Sequence, residues 1–402
     1  MARKDNRGRN LKEGECQRKD GTYMYRFTDP KTKKRVCKYS KDLPGLRRIE
    51  REIQQKINDG LAVSTKIVNT TLNQYYEQYM RVLQIELRTK NNYIALWNNH
   101  IRNSIGEMKL VDIRTSHIKT LYSSLTDNGY SEGTIKVIHG ILCPMFDLAM
   151  DDDIVRKNPA RGNLAGYGVK SKERQALTPT EQEALMTFIS ASNCYSKHKP
   201  MISFMIATAV RVGELSGLTW DDIDFKNRVI NIDHQLIYKN YGNGCMFHKS
   251  APKTEAGNRV IPMTENMHKA LLEQKEQQFL LGVDRSVEVD GLKNFVFTSK
   301  NGGPLAPNAV NNILYNIVKA YNKKEAAVAL TENRRPVYLP SISAHIMRHT
   351  GCTRMAEAGV DLKVLQYIMG HADIQVTMDV YNHISDIDRV RKEICKLDYM
   401  AV

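Results

Sequence analysis

No run of about 18 apolar residues occurs in this 402-residue chain, so no segment is expected to span a membrane. The first residues, MARKDNRGRNLKEGE, are basic with no apolar stretch behind them, and are not expected to be a secretory signal. The seven cysteines (Cys16, Cys37, Cys143, Cys194, Cys245, Cys352 and Cys395) are scattered, odd in number and free of any C-x-x-C pair. That pattern argues against a disulfide framework or a zinc ribbon and for reduced thiols in a cytosolic protein, several of them small core residues. No G-x-x-x-x-G-K pattern occurs, which removes support for an NTP-driven motor. With 42% hydrophobic and 26% charged residues, the composition is that of a globular chain of two or three domains. Positive charge is what stands in excess: the net charge is +15 and the pI about 9.3. Such a balance points to a nucleic acid or another anionic partner.

The charge is concentrated at one end. Residues 1–65 hold 18 Lys/Arg against nine Asp/Glu, so this sixth of the chain carries nine of the fifteen net charges. Within it Tyr23, Tyr25 and Phe27 alternate with Met24 and Arg26, a strand period flanked by turn signals, so a sheet of two or three strands is expected. A helix through Leu46, Ile49, Ile53 and Ile57 should follow, ending at Gly60. A small basic, aromatic sheet suits a DNA groove; in the plainer reading its aromatics are simply core. Residues 66–162 read as an all-α bundle, with apolar positions at helical spacing in Leu72–Leu83, Tyr93–Ile105, Ile118–Leu125 and Ile135–Leu148. Asn158-Pro159 and the Gly/Ala-rich stretch Arg161–Gly168 announce a linker, assigned to 163–177. From 178 the reading is mixed α+β. Thr178-Pro179-Thr180-Glu181 forms a capping box, helices are expected near 181–191, 200–216, 306–323, 345–358, 361–369 and 386–396, and strands at Val229–Ile232, Val260–Met263 and Phe295–Thr298. The fold class is therefore multidomain, mainly α with small β-sheets.

Four clusters in the last segment carry chemistry. Arg211 sits at a helix–turn junction in Thr208-Ala209-Val210-Arg211-Val212-Gly213-Glu214, with Glu214 three residues on. Lys253 lies in Pro252-Lys253-Thr254, ahead of Gly257 and Arg259-Val260-Ile261-Pro262, as a lysine beside a β-hairpin. His345, Arg348 and His349 share a helix face in His345-Ile346-Met347-Arg348-His349. Met369-Gly370-His371 is followed ten residues later by Tyr381, with His383 just beyond. Metal-free phosphodiester transfer needs these groups. Two guanidiniums stabilise the charge of a pentavalent transition state, a lysine and a histidine move protons, and a tyrosine hydroxyl attacks.

Singly each signal is weak. An Arg-x-x-Glu is usually a surface ion pair, one lysine near a turn says little, and one tyrosine is more often packing. His345 and His349 at i, i+4 resemble a zinc pair, but Ile346 stands where the zincin pattern has Glu, and Arg348 between them would repel a dication. Asp151-Asp152-Asp153 reads as a solvated helix end rather than a metal site, since adjacent carboxylates there do not converge on one ion. Neither a metal nor a cofactor is expected.

Taken in this order, the set resembles the tyrosine recombinase (phage integrase) family over about the last 225 residues. Asp5-Asn6-Arg7-Gly8-Arg9, Gln17-Arg18-Lys19-Asp20-Gly21 and Arg156-Lys157-Asn158-Pro159 resemble the integrases of conjugative transposons, which extends the likeness to nearly the whole chain. The resemblance implies an arm-type DNA-binding domain (1–65), a helical core-binding domain (66–162) and a catalytic domain with a tail helix (178–402). It implies that Arg211 and Arg348 clamp the scissile phosphate and that Lys253 protonates the 5′-oxygen. His345 would assist proton transfer at the tyrosine, His371 would hydrogen-bond the phosphate, and Tyr381 would form a 3′-phosphotyrosyl bond. Glu214 would orient the Arg211 region, with His349 structural. Ala209 stands where the family usually has glycine and Met369 where leucine is common, and the His371–Tyr381 spacing is one longer than in some members.

The partners implied are double-stranded DNA attachment sites, three further copies of the chain on DNA, an excision-directing factor and a DNA-bending host protein, in a bacterial cytoplasm. The amphipathic tail of Ile387, Val390, Ile394 and Leu397 suits docking on a neighbouring protomer or on its own domain. Two rivals use the same residues: a DNA-binding protein that no longer cuts, and a type IB topoisomerase that relaxes DNA without joining partner sites.

Overall fold

The computed structural model describes residues 3–30, 33–58, 69–170, 175–240, 244–252, 254–375 and 377–378. The chain forms two compact units, Met1–Lys172 and Glu173–Val402.

The first unit holds two separate apolar cores. In the N-terminal one, β1 (Glu15–Gln17), β2 (Tyr23–Thr28) and β3 (Arg35–Ser40) pair antiparallel in that order, followed by α1 (Leu43–Asn58). The expected alternation in β2 is present, and it settles the role of two aromatics. Tyr23 and Tyr25 are buried with Leu43, Leu46 and Ile53, so they are core. The Tyr23 hydroxyl donates to Asp5 and accepts from Arg9, which satisfies its polar end. Residues opposite one another in an antiparallel pair share a face, and Arg26↔Cys37, Met24↔Tyr39 and Thr28↔Arg35 define the other side of the sheet. Arg26, Arg35 and Tyr39 are exposed there, and the Arg18 guanidinium lies 5.4 Å from the Tyr39 ring centroid.

The second core of this unit is helical. It is built by α2 (Leu72–Val82), α3 (Leu87–Leu96) with its π-helical continuation Trp97–Ile101, α4 (Thr115–Asp127) and α5 (Glu132–Asp151). Thr71 caps α2 in a reciprocal box with Gln74, and Ser131 caps α5. Tyr76 stacks on Trp97, whose indole N–H donates to Asn73. By length and composition α5 is long and apolar enough to cross a membrane, though Lys136, His139 and Asp147 interrupt its apolar stretch. Its Ile135, Ile138, Ile141, Leu142, Met145 and Phe146 instead fill the bundle core. Asp151 ends α5 and Asp151, Asp152 and Asp153 are exposed; Asp152 accepts from the Tyr75 hydroxyl. Of the expected linker, Leu164 and Tyr167 pack against the bundle and the Val169 N–H donates to Tyr130, so 163–170 is laid along this core.

In the second unit α6 (Pro179–Ala191) starts at the expected capping box. The remaining elements follow as α7 (Lys199–Thr208), α8 (Val212–Gly217), β4 (Ile223–Asp224), β5 (Val229–Ile232), β6 (Gln235–Asn240), β7 (Cys245–Ser250), β8 (Arg259–Pro262), α9 (Glu265–Leu280), α10 (Pro307–Thr331), α11 (Ala344–Glu357) and α12 (Leu362–Met369). β4, β5 and β8 form one antiparallel sheet and β6–β7 a hairpin. The core runs through Phe204, Leu215, Ile230, Ile261, Phe297, Leu314 and Met347. Three expectations change. The helix at 200–216 is two helices broken at Ala209. Phe295–Thr298 makes bridges from Phe295 to Thr219 and from Thr298 to Pro304 rather than a strand. Helix α9, with the polar sequence ENMHKALLEQKEQQFL, was not expected at all. The helix expected at 386–396 lies outside the described residues.

Candidate active site

The break at Ala209 shapes the first part of the site. Ala209 adopts the left-handed conformation (φ 51°, ψ 28°), which costs a residue with a Cβ about 1–2 kcal/mol. It ends α7 and turns the chain so that Arg211 is the N-cap of α8. There the Arg211 N–H donates to Glu214 Oε2 (2.9 Å) and its Nη1 to Glu214 Oε1 (2.8 Å). The turn also aims the Ala209 carbonyl at Arg348, whose Nη1 donates to it at 2.7 Å. Helices α7 and α11 meet closely enough that a Cβ on Gly351 would lie 2.3 Å from the Ile206 carbonyl oxygen, so only glycine fits there.

Arg348 projects from the middle of α11, the helix capped by Ser343. Its residue is 5% exposed, and no carboxylate bonds it among the described contacts; its acceptors are the carbonyls of Ala209 and Met369 and the His371 ring. Burial pushes its guanidinium down to about 9, and the neighbouring Arg211 charge pushes the same way. It remains a cation at neutral pH. His345 stands exposed in the first turn of α11, and His349 is half-buried one residue beyond Arg348.

The last carbonyls of a helix have no partner within it and carry partial negative charge. At the end of α12 three consecutive ones each receive an arginine. Arg259 Nε donates to Ile368 (2.6 Å), Arg348 Nη2 to Met369 (2.6 Å) and Arg211 Nη2 to Gly370 (2.8 Å). Gly370 itself is left-handed (φ 59°), and a Cβ there would meet the Ala256 carbonyl oxygen at 2.9 Å and Arg259 Nη1 at 3.0 Å. The chain then delivers His371. A guanidinium only donates, so His371 Nε2, 2.9 Å from Arg348 Nη2, accepts. Its proton therefore sits on Nδ1, which donates to Thr377 Oγ1 at 3.0 Å. Burial, followed by the Arg348 and Arg211 charges, pushes the imidazole down to about 4, so it is neutral at pH 7.

Arg259 is the member given no role by sequence reasoning. Its side chain is fully buried against Glu214, 2.8 Å from Oε2 and 3.2 Å from Oε1. Burial alone would raise the Glu214 carboxyl; the Arg259 hydrogen bond and charge, with the Arg211 N–H, outweigh it and hold the group below the ordinary carboxylate range. The signal was present in the sequence. Arg259 and Ile261 alternate inward along β8, and an arginine on an apolar strand face requires a partner.

The structure thus joins Arg211, Glu214, Arg259, Arg348 and His371 in one bonded network. Lys253 and Tyr381, like His383, lie outside the described residues. With three guanidiniums, one carboxylate and a neutral imidazole, the cluster carries net positive charge, and the Arg211 side chain brings it to the surface at 38% exposure. Asp222, Asp233 and His234 also lie close enough to hold a metal ion. His234 Nε2 is taken up by the Gly217 carbonyl at 2.8 Å, which ties the strand connection to the end of α8.

Comparison with known proteins gives three family matches along the chain. Residues 175–387 match the phage integrase family, 1–58 the DNA-binding domain of Tn916 integrase, and 71–126 the N-terminal SAM-like domain of phage integrases. The transposase of transposon Tn916 from Enterococcus faecalis is 33% identical over 97% of both chains. Among solved structures, the Tn1549 transposon integrase in complex with a circular intermediate DNA is 32% identical, with a TM-score of 0.71 over 81% of this chain and 99% of that one. The same integrase with transposon right end DNA aligns over 82% and 100%, again at 32% identity and a TM-score of 0.71.

Proposed function

The chain belongs to the phage integrase family, and we propose that it is the site-specific recombinase of a mobile element, cutting and rejoining DNA without metal or ATP. The observation that supports this reading is Arg348: a buried guanidinium with carbonyl and imidazole acceptors and no carboxylate among the described contacts, beside a half-exposed Arg211, suits the binding of a phosphate.

In this reading Arg211 and Arg348 hold the non-bridging oxygens of the scissile phosphate. The Tyr381 hydroxyl attacks phosphorus, its proton passing to a base that His345 assists, and a 3′-phosphotyrosyl bond forms. The P–O5′ bond breaks, and Lys253 protonates the departing 5′-oxygen. The phosphotyrosyl bond conserves the energy of the one it replaces, so rejoining to a partner strand's 5′-hydroxyl needs no nucleotide. His371, which accepts from Arg348, hydrogen-bonds the phosphate after its proton is relocated to Nε2 or a second one is gained. Glu214 holds the Arg211 turn and His349 is structural.

Around this chemistry, residues 1–65 bind arm-type sites and 66–162 the core site, with 178–402 catalytic. Four protomers exchange strands through a Holliday junction, directed by an excision factor and a DNA-bending host protein, in a bacterial cytoplasm. Removing 1–65 weakens assembly on distal sites and leaves cleavage intact; loss of all cleavage in that truncation rules the division out.

Covalent capture tests the activity. Wild type and Tyr381→Phe are expressed with the source DNA, denatured, and the DNA surviving detergent is sequenced. Adducts in wild type alone are expected. Adducts in both mean another nucleophile, and none in either, with DNA bound before denaturation, leaves a DNA-binding protein that does not cut.

A further inference from the structure

We propose that Arg259 is a positioning residue that fixes the two phosphate-holding arginines without touching DNA, an inference that rests on the recombinase reading above. Its side chain is 0% exposed, and four of its five N–H donors are spent inside the protein. Nε donates to Ile368, Nη1 to Glu214 and to Gly257 (2.9 Å), and Nη2 to Glu214. Arg211 contrasts with it, half-exposed with two of its side-chain donors engaged, at Glu214 and Gly370.

The acceptors of Arg259 come from three segments: helix α8, the turn before β8, and the end of α12. Each contact leads on to a clamp arginine. Glu214, gripped by the Arg259 fork, holds the Arg211 N–H and Nη1. Ile368, its acceptor on α12, is followed by Met369 and Gly370, whose carbonyls receive Arg348 and Arg211. Gly370 lies so tightly on the Arg259 guanidinium that a Cβ would approach Nη1 to 3.0 Å. One planar fork therefore sets the distance between the α8 turn and the α12 end, and with it the separation of Arg211 and Arg348. A lysine keeps the charge but not the fork, and serves these three directions poorly.

The test uses the full chain and the attachment duplex recovered by covalent capture, with duplex affinity, adduct rate and melting temperature measured together. Arg259→Lys should bind the duplex within about threefold of wild type and form the adduct on the order of 100-fold more slowly, the loss that a misplacement of about 1 Å brings. Combined with Arg211→Lys, it should slow the reaction little beyond Arg211→Lys alone, because it acts through that residue. Near-wild-type rates in Arg259→Lys, or effects that multiply in the double variant, overturn the proposal. If Arg259→Lys does not fold, Glu214→Gln with Arg259→Met removes both buried charges together. A protein slower than Glu214→Gln alone supports positioning by Arg259, whereas one no slower than Glu214→Gln overturns it. Absence of any adduct in wild type is a separate outcome and rejects the recombinase reading itself.

Discussion

Glu15 in the N-terminal sheet and Glu214 in the second unit are the same device in two settings. Both carboxylates are buried, which alone would raise them, and in both an arginine together with a backbone N–H, that of Lys12 or of Arg211, holds the acid below its ordinary range. The difference lies in the arginines. Arg47 keeps 36% of its side chain in water and ties α1 to the start of the sheet through Glu15 and the Asn10 carbonyl. Arg259 keeps none, and its carboxylate partner serves a second arginine as well. A pair with one foot in solvent fastens a fold, while a pair wholly inside, shared among three segments, sets the distances of a site.

Breaking each pair should expose that difference most strongly. Glu214→Ala leaves Arg259 charged and buried, and removing one partner of such a pair destabilises by about 3–5 kcal/mol. Glu15→Ala leaves Arg47 free to turn to water, and should cost only about 1 kcal/mol. Native-state amide hydrogen exchange, read at β2 beside Glu15 and at β8 beside Glu214, reports the two sites separately. Equal losses would show that the depth of the arginine is irrelevant. Acid should act on both pairs in one direction. Their folded-state carboxyl values are lowered, so the stability they contribute is present above the unfolded value near 4.5 and is lost as pH falls through the folded one.

Next in size is Arg348→Lys. An ammonium in that pocket reaches fewer of the Ala209, Met369 and His371 acceptors, so adduct formation should fall about 10²–10³-fold. Duplex affinity should fall far less, since one buried contact adds little to a phosphate interface. An affinity loss as large as the rate loss would make Arg348 a binding residue only.

These residues differ in how far the sequence exposed them. Arg211, Glu214, Arg348 and His371 were legible because their motifs, taken together and in order, resemble those of a known family; singly each was weak. Arg259 appeared in its motif without a role, because a side chain that acts by holding another leaves no pattern except an arginine on an inward strand position. A helix–turn junction at Arg211 was legible, but the left-handed residue that breaks the helix expected over 200–216 was not, since Ala209 is of the best helix-forming type. Helix α9 was missed because its apolar positions are few; Met267, Ala270 and Leu271 are buried along with Gln274 and Gln278, and polar residues take core sites. Gln278 does so by accepting from Trp220 and donating to the Phe295 and Val296 carbonyls. In the first unit strand alternation was visible, but which face of the sheet would be core was not: Tyr23 and Tyr25 went inward and left Tyr39 outside.

A smaller effect separates His371 from the acid response of the two pairs. Its folded-state value, near 4, is depressed below the unfolded 6.5, so stability is full above 6.5 and declines as pH falls toward 4. The second unit should therefore weaken over a window in which most carboxylates are still ionised. His198, which burial also pushes down to about 4, shares this window, so His371→Gln should reduce the slope of the melting-temperature profile there without abolishing it, and an unchanged slope would show that His371 does not titrate there.

The smallest effect belongs to the exposed charges of the N-terminal sheet, where the physics is opposite to that of Arg259. Arg26 and Arg35 lie on the face away from the Tyr23–Tyr25 core, in water. Charges of that kind bind phosphate by releasing counterions, each contributing a fixed increment to the salt dependence and nothing to geometry. Arg26→Gln with Arg35→Gln should leave stability and the core-site adduct rate unchanged, and reduce the slope of log affinity against log salt on arm-type DNA by about 2. If the slope holds while affinity falls equally at every salt concentration, these arginines act by specific hydrogen bonds, and the sheet resembles the catalytic unit more closely than its exposure suggests.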